Sequence, residues 1–400
     1  MKGGPGTGGR ERGLGPGGST GAGARGLDPG GATGDQRPVG TGRGTGERAD
    51  ADGGATSTRL ELAASPHLKA PDTTPRIMWT VVLTLIPVVA AATWTFGPSA
   101  LLVVLTATLG AVAVERVWGR RGALGDGSAA ITGLLLGLTL PAGLPLWMAF
   151  LGGGVGVGFG KLIFGGLGQN VFNPALVGRA FLQAAFPAAM TTWPLPTGAP
   201  LPGGGTMAWA SLRGDTFAFP LLGSSVDAVT GATPLGLAKF EGVTTPVGDL
   251  FMGSIGGSAG ETSALLILVG GLVLAARNYL NWRIPVSILA VVAILSSAIH
   301  AVSPAVSPGA PFMLFSGGLM LGAVYMATDM VTSPVTNAGA WLYGAGIGAL
   351  VVLIRVWGGL PEGVMYAILL MIAMVPFIDR ATQPRVFGTG RGARRAAGAS

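Results

Sequence analysis

Apolar and polar positions along this chain fall into long blocks rather than into strict alternation. Ten apolar segments stand out, at about 77–96, 99–118, 128–140, 145–164, 174–190, 263–277, 284–302, 311–328, 340–357 and 362–378. Several approach the roughly 20 residues a helix needs to cross a bilayer, and a continuous apolar surface in lipid requires a backbone that satisfies its own hydrogen bonds. The pattern predicts an all-α polytopic membrane protein with about ten transmembrane or partly spanning helices. The third segment is short and stops at Pro141. Five segments lie on each side of a polar stretch, so the two groups run in opposite orientations, which allows two inverted five-helix repeats with a functional site where they meet. Asn170-Val171-Phe172-Asn173-Pro174 and Thr332-Ser333-Pro334-Val335-Thr336-Asn337 precede the fifth and ninth segments. They read as corresponding interruptions lining a cavity, or as plain loops with proline in the first helical turn.

Composition supports the membrane reading. Hydrophobic residues make up 49% of the 400-residue chain and charged residues only 11%, against about 25% charged in a soluble domain. The formal charge of +7 sits in the tails and in short loops, so membrane topology explains it and nucleic acid is not an expected partner. Arg116, Arg120 and Arg121 follow the second segment, Arg277 and Arg283 the sixth, and Arg380, Arg385, Arg391, Arg394 and Arg395 the last. The positive-inside rule places all of these in the cytoplasm, together with both termini. Residues 191–262 hold Arg213 and Lys239 against Asp215, Asp227, Glu241, Asp249 and Glu261, and belong on the outer side. The organisation expected is a disordered Gly/Arg-rich cytoplasmic arm over 1–64, a first membrane half over 65–190, an extracytoplasmic segment over 191–262, a second membrane half over 263–380 and a basic cytoplasmic tail over 381–400. The arm's composition cannot offset the entropy of ordering it. No cleavable secretory signal is expected.

The absence of cysteine excludes disulfides and thiolate-held zinc or iron–sulfur clusters. His67 and His300 lack ligand spacing, so no metal site is expected. No strand-to-helix dinucleotide fingerprint occurs, so nicotinamide chemistry would belong to partners. Charged residues close to apolar segments are functional candidates: Glu115, Arg116, Lys161, Arg179, Asp329 and Arg355. Most sit at predicted helix ends and read as interfacial, Arg179 as a phosphate contact or a snorkelling cation, and Asp329 as an ion-pathway candidate beside Thr332–Asn337. Trp79, Trp94, Trp118, Trp147, Trp193, Trp282, Trp341 and Trp357 read as an interfacial belt. The stretch Asp227-Ala228-Val229-Thr230-Gly231-Ala232-Thr233 reads locally first as an Asp-capped loop, and it also offers small hydroxyl side chains on an accessible turn, flanked by residues too small to obstruct a modifying enzyme.

That stretch resembles the acceptor sequence for flavin mononucleotide (FMN) attached through a threonine phosphoester. Further matches run in order along roughly Ser65 to Arg385: Ser65-Pro66-His67, Asp126-Gly127-Ser128-Ala129, Phe164 to Ala180, Gly256-Gly257-Ser258 with Glu261-Thr262-Ser263, Met326-Ala327-Thr328-Asp329 with Thr332 to Thr336, and Pro361-Glu362-Gly363. Taken together the chain resembles the D subunit of the Rnf electron transport complex (RnfD) and, more distantly, NqrB of the sodium-pumping NADH:quinone oxidoreductase. The resemblance implies a subunit of the bacterial inner membrane without independent catalytic activity. It implies covalent FMN on Thr233, with Asp227, Thr230, Gly231 and Ala232 read by a flavin transferase, and leaves room for an additional noncovalent flavin. Its implied partners are the other subunits of an Rnf-type complex and Na+ or H+ as the exported ion. The arm before Ser65 departs from the family pattern. The competing readings are a secondary transporter or channel with an inverted repeat and no redox group, and a scaffold for flavin-bearing partners.

Overall fold

The computed structural model describes residues 72–384, apart from 121, 202–203, 221–230, 254 and 305–306. The arm over 1–64, Asp227, Thr230 and nearly all of the tail lie outside the described residues.

Each of the ten apolar segments carries a helix. The first half consists of α1 (Thr74–Phe96), α2 (Pro98–Trp118), α3 (Ser128–Thr139), α4 (Leu146–Gly160) and α5 (Pro174–Ala185); the second of α6 (Ala264–Ala276), α7 (Arg283–Val302), α8 (Ala310–Phe315), α9 (Asn337–Trp357) and α10 (Val364–Thr382). Local chemistry sets the boundaries. Proline opens α2 and α5, where the missing N–H is no loss. The side chains of Asn173, Ser263 and Thr336 cap α5, α6 and α9 through the N–H groups of Ala175, Leu266 and Gly339.

Among the described residues six helices, with α4 extended by a 3-10 turn to Phe164, are long and apolar enough to cross a membrane, and α3 and α6 are shorter. Their outward faces remain apolar: Leu83, Leu109, Leu272, Ile294 and Phe377 are all exposed. In water such a surface would be an aggregation site. In lipid it is the expected covering. Trp94, Trp118 and Trp357 are exposed at helix ends, as an interfacial belt requires.

The two halves repeat one packing scheme. In the first, the second helix packs on the third and fourth, and the fourth on the fifth; in the second half α7 packs on α8 and α9, and α9 on α10. The third position is interrupted in both. At 12 residues α3 is about 18 Å long, short of a hydrocarbon core of about 30 Å. Its counterpart breaks after Phe315 and resumes as Leu319–Leu321, running into a π-turn over Gly322–Met326. This corrects the sequence reading that paired Asn170–Pro174 with Thr332–Asn337. Those stretches open the fifth helix of one half and the fourth of the other, so they are not equivalent; the shared interruption lies one or two helices earlier.

Glycine lets α2 and α4 touch. A Cβ on Gly153 would stand 2.1 Å from the Ala107 carbonyl oxygen, an overlap that only moving the helices apart could relieve. Gly153→Val should therefore destabilise the detergent-solubilised protein by about 1–3 kcal/mol, read as a lower thermal midpoint. Gly158→Ala, where the nearest atom is 3.8 Å away, should leave the midpoint unchanged.

Candidate functional site

Interrupting a helix inside an apolar slab frees carbonyls that water cannot reach, and each needs a donor. Arginine supplies it in both halves. At the end of α3, Arg179 of α5 donates to the Thr139 carbonyl at 2.7 Å, and the Ala259 N–H donates to the Leu140 carbonyl at 3.2 Å. At the end of α8, Arg355 of α9 donates to the carbonyls of Met313, at 2.5 Å, and Ser316, at 2.8 Å. Neither cation snorkels: Arg355 is 4% exposed, and Arg179 makes an ion pair with Glu362 at 3.0 Å, the two side chains being 11% and 15% exposed.

Glu261 completes the group. It is buried, accepts from Ser258 Oγ at 2.8 Å, and lies within electrostatic reach of Glu362, Arg179 and Arg355. Two cations thus face two carboxylates where the halves meet. Arg179 Nε, Glu362 Oε1, Glu261 Oε2, Arg355 Nε and Ser316 Oγ are buried without a hydrogen-bond partner among the described residues. Buried orphan polar atoms are rare, and five in one neighbourhood mark a place where a ligand or water belongs. Arg179 and Glu362 line a cavity of about 750 Å³, counting its open mouth, with Met190, Trp193, Met365 and Tyr366 among its apolar walls.

The segment over 191–262 is fastened beside this cavity. Arg213, 1% exposed, donates to the Phe96 carbonyl, Ser211 Oγ and Thr197 Oγ1, each at 3.0 Å, while its own N–H donates to Ser99 Oγ at 2.8 Å. It clamps the segment to the α1–α2 corner, and burial lowers its affinity for its proton. Lys239 donates to the carbonyls of Arg355, at 2.8 Å, and Gly358, capping the end of α9 as a cation should. Burial draws its ammonium pKa down from the ordinary range.

Thr233 lies between these fastenings. Its Oγ1 accepts the Gly236 N–H at 3.1 Å, capping the turn Pro234–Gly236, and the residue is 4% exposed. An accessible hydroxyl was expected; in this conformation it is covered. Gly231 donates its N–H to the Trp193 carbonyl at 3.0 Å, and a Cβ there would come within 2.7 Å of Leu195. Leu235 and the Arg355 guanidinium both pack on Gly317, so the Thr233 turn adjoins the charge cluster. Ala232 is exposed.

At the opposite face a second cavity, of about 780 Å³ counting its mouth, is lined by Tyr279, Asn170, Asn173, Lys161 and Asp329. Asp329 Oδ1 accepts the Val331 N–H and Oδ2 the Thr332 hydroxyl, each at 3.2 Å. Asn173 reaches across the halves to the Met326 carbonyl at 3.1 Å. Glu115 and Lys161, expected at interfaces, are buried and paired with each other, and Lys161 also contacts Ser128. The pairing spans 46 residues of chain, which is why helix-end position alone misled.

Sequence reasoning therefore located Arg179, Arg355 and Asp329 as isolated charges, Glu261 as one of the acidic residues of the outer segment and part of a matching stretch, and Glu362 only as part of a matching stretch. It missed that four of them converge. The available signal was that each is a lone charge bordering an apolar segment. Among the described residues no group of three or more His, Asp or Glu could hold a metal ion.

A polytopic helical protein with two five-helix halves, interrupted third helices and a buried charge cluster between them is the class these features define. The sequence profile of the NQR2, RnfD, RnfE family matches residues 61–388, and the chain belongs to that family. It is 40% identical over 344 residues to the D subunit of the proton-translocating ferredoxin:NAD(+) oxidoreductase complex of Clostridium ljungdahlii, covering 82% of this chain and 96% of that protein. The D subunit of the ion-translocating oxidoreductase complex of Stutzerimonas stutzeri is 44% identical over 329 residues, with 78% and 92% covered. The D subunit of the Na(+)-translocating ferredoxin:NAD(+) oxidoreductase complex of Acetobacterium woodii is 38% identical over 337 residues, with 82% and 95% covered.

Removing one member of a buried ion pair strands the other charge. Glu115→Ala should cost about 3–5 kcal/mol, while the double replacement Glu115→Met with Lys161→Met should recover most of it, measured as thermal midpoints in detergent.

Proposed function

We propose that this chain is the membrane subunit of an ion-translocating electron transport complex, carries FMN on Thr233 through a phosphoester, and relays electrons in a process coupled to export of Na+ or H+. The relatives' names support the complex. The observation that carries the flavin reading is the position of Thr233: its hydroxyl sits at the start of a helical turn, where the N–H of Gly236 already points at it. A phosphoester oxygen would find the same donor there, and backbone N–H groups at a helix start favour anions. Asp227 and Thr230 complete the acceptor stretch by resemblance and fall outside the described residues.

FMN would supply one-electron chemistry, with the protein setting its surroundings. Clamping by Arg213 and Lys239 holds the segment against the bundle, so a carrier attached there keeps a fixed distance to its neighbours through every redox state. A threonine 4% exposed requires that a flavin transferase act before the segment settles, or on an opened form. Residues 191–262 would face outward and both termini the cytoplasm of a bacterial inner membrane. The cavity beside Asn170, Lys161 and Asp329 has the polar edge and apolar walls suited to a second, noncovalent flavin. Asp329 would also stand at the entry of an ion pathway.

The repeated packing of the two halves favours one other reading, a transporter or channel without a redox group. Colour separates the two. Purified protein denatured in detergent should keep flavin fluorescence on a gel, with an FMN-sized mass increase on the peptide containing Thr233, and Thr233→Ala should lose both. An unmodified peptide from cells containing the transferase would overturn the assignment. Flavin released from Thr233→Ala on denaturation would report the noncovalent site. Because the chain lacks cysteine, a single cysteine at Lys239 and another at Arg120 should react with impermeant reagents from opposite sides of the membrane.

A further inference from the structure

We infer that Arg179 is the movable member of a lock between the two halves: paired with Glu362 it ties α5 to the start of α10, and transferred to Glu261 it frees them. The inference concerns how the halves move against each other and does not depend on the flavin.

The two carboxylates belong to different halves. Glu362 lies two residues before α10 and so moves with the second half. Glu261 is fastened to the first: its turn is pinned to the end of α3, where the Ala259 N–H donates to the Leu140 carbonyl at 3.2 Å, and Ser258 Oγ donates to Glu261 Oε1 at 2.8 Å. Arg179 is anchored one carbonyl earlier, on Thr139 at 2.7 Å. Arg179, Glu362 and Ser258 line the same cavity. The guanidinium therefore has one carboxylate across the seam, bonded at 3.0 Å, and a second on its own side, within electrostatic reach.

Hydrogen bonding in the cluster is incomplete in a way that suits exchange. The donors Arg179 Nε and Arg355 Nε and the acceptors Glu261 Oε2 and Glu362 Oε1 are all buried without a partner among the described residues. Unpaired donors and acceptors in one neighbourhood weaken the state that holds them. Moving Arg179 to Glu261 gives Oε2 a donor in place of the bond to Glu362, so the two pairings lie close in free energy. The seam also has a contact that can part. Leu321, 1% exposed, packs on the Glu261 turn from the second half, where a Cβ on Gly260 would meet its side chain at 2.8 Å. Locking and releasing one half against the other is the step that rocking of inverted repeats requires.

Protonation decides whether Glu261 competes. Burial first, and the neighbouring Glu362 carboxylate second, push the Glu261 carboxyl up to about 8, against the opposing pull of the Ser258 hydroxyl, Arg179 and Arg355. Below that pH Glu261 is protonated and neutral, and Glu362 keeps Arg179. Above it Glu261 ionises and draws the guanidinium, so the lock loosens as the pH rises.

Because the chain has no cysteine, Leu321→Cys places a single thiol at the seam. Its rate of reaction with a small water-soluble maleimide, scored on this chain after gel separation of the detergent-solubilised complex, reads the opening. Glu362→Gln, which removes the partner across the seam, should raise that rate several-fold, and Glu261→Gln, which removes the competitor, should lower it. Raising the pH through about 8 should speed labelling more in Leu321→Cys alone than in Leu321→Cys with Glu261→Gln, a comparison that cancels the ionisation of the thiol itself and serves even where Glu362→Gln does not fold. Rates that rise in both glutamine variants would report loosened packing and overturn the lock, as would rates unchanged in both. Equal pH dependence with and without Glu261 would remove it as the alternative partner, and the lock with it.

Discussion

Carbonyl oxygens released where packed helices hide them from water must be met by donors, and the arginine–carboxylate cluster of this protein follows from that requirement. Ending α3 near Thr139 and breaking α8 after Phe315 creates two such sets of oxygens. Guanidinium groups reach both, Arg179 for one and Arg355 for the other. Arginine suits the task because its planar fork can serve a carbonyl and a carboxylate at once and keeps its charge. A buried cation then demands an anion, which accounts for Glu362 beside Arg179 and for Glu261 between the two halves. The cavity lies where these demands leave atoms unpaired.

Much of the fold was legible in the chain. Ten apolar blocks announced ten helices because lipid leaves a single-chain segment few alternatives, and Pro141 marked the short third helix correctly. The blocks began within a few residues of the helix starts, where the structure puts Pro98, Pro174 and the capping side chains of Asn173, Ser263 and Thr336. The correspondence between halves was read from the wrong stretches. Asn170–Pro174 and Thr332–Asn337 look alike because both are proline-containing cap loops, whereas the true counterpart of α3 is a helix whose break is written only as Ser316-Gly317-Gly318. Such a break depends on the Arg355 side chain that satisfies it, and arginine in α9 gives no local sign of its target.

The candidate site was legible in part for the same reason. Glu115 and Lys161, like Arg179 and Glu362, stand 46 and 183 residues apart, and their pairing exists only once helices pack. Position at a helix end predicted exposure, yet the packing of α2 against α4 buries Glu115 and Lys161 together at the ends of two full-length helices. Thr233 differs in kind. The sequence placed it in an accessible turn, whereas its hydroxyl caps Pro234–Gly236 and packing leaves the residue 4% exposed.

The helix that joins the two faces has a mechanical character of its own. With 21 residues, α9 is about 31 Å long, and unlike α1 and α10, which carry Pro87 and Pro376, it has no internal proline. One end is gripped by Lys239, six residues after Thr233; the other begins at the cap of Thr336, directly after the loop that Asp329 orders through Val331 and Thr332. The Thr233 segment and the loop of Asp329 are therefore fastened to opposite ends of one uninterrupted helix, so that a displacement of α9 along its axis would be shared by both.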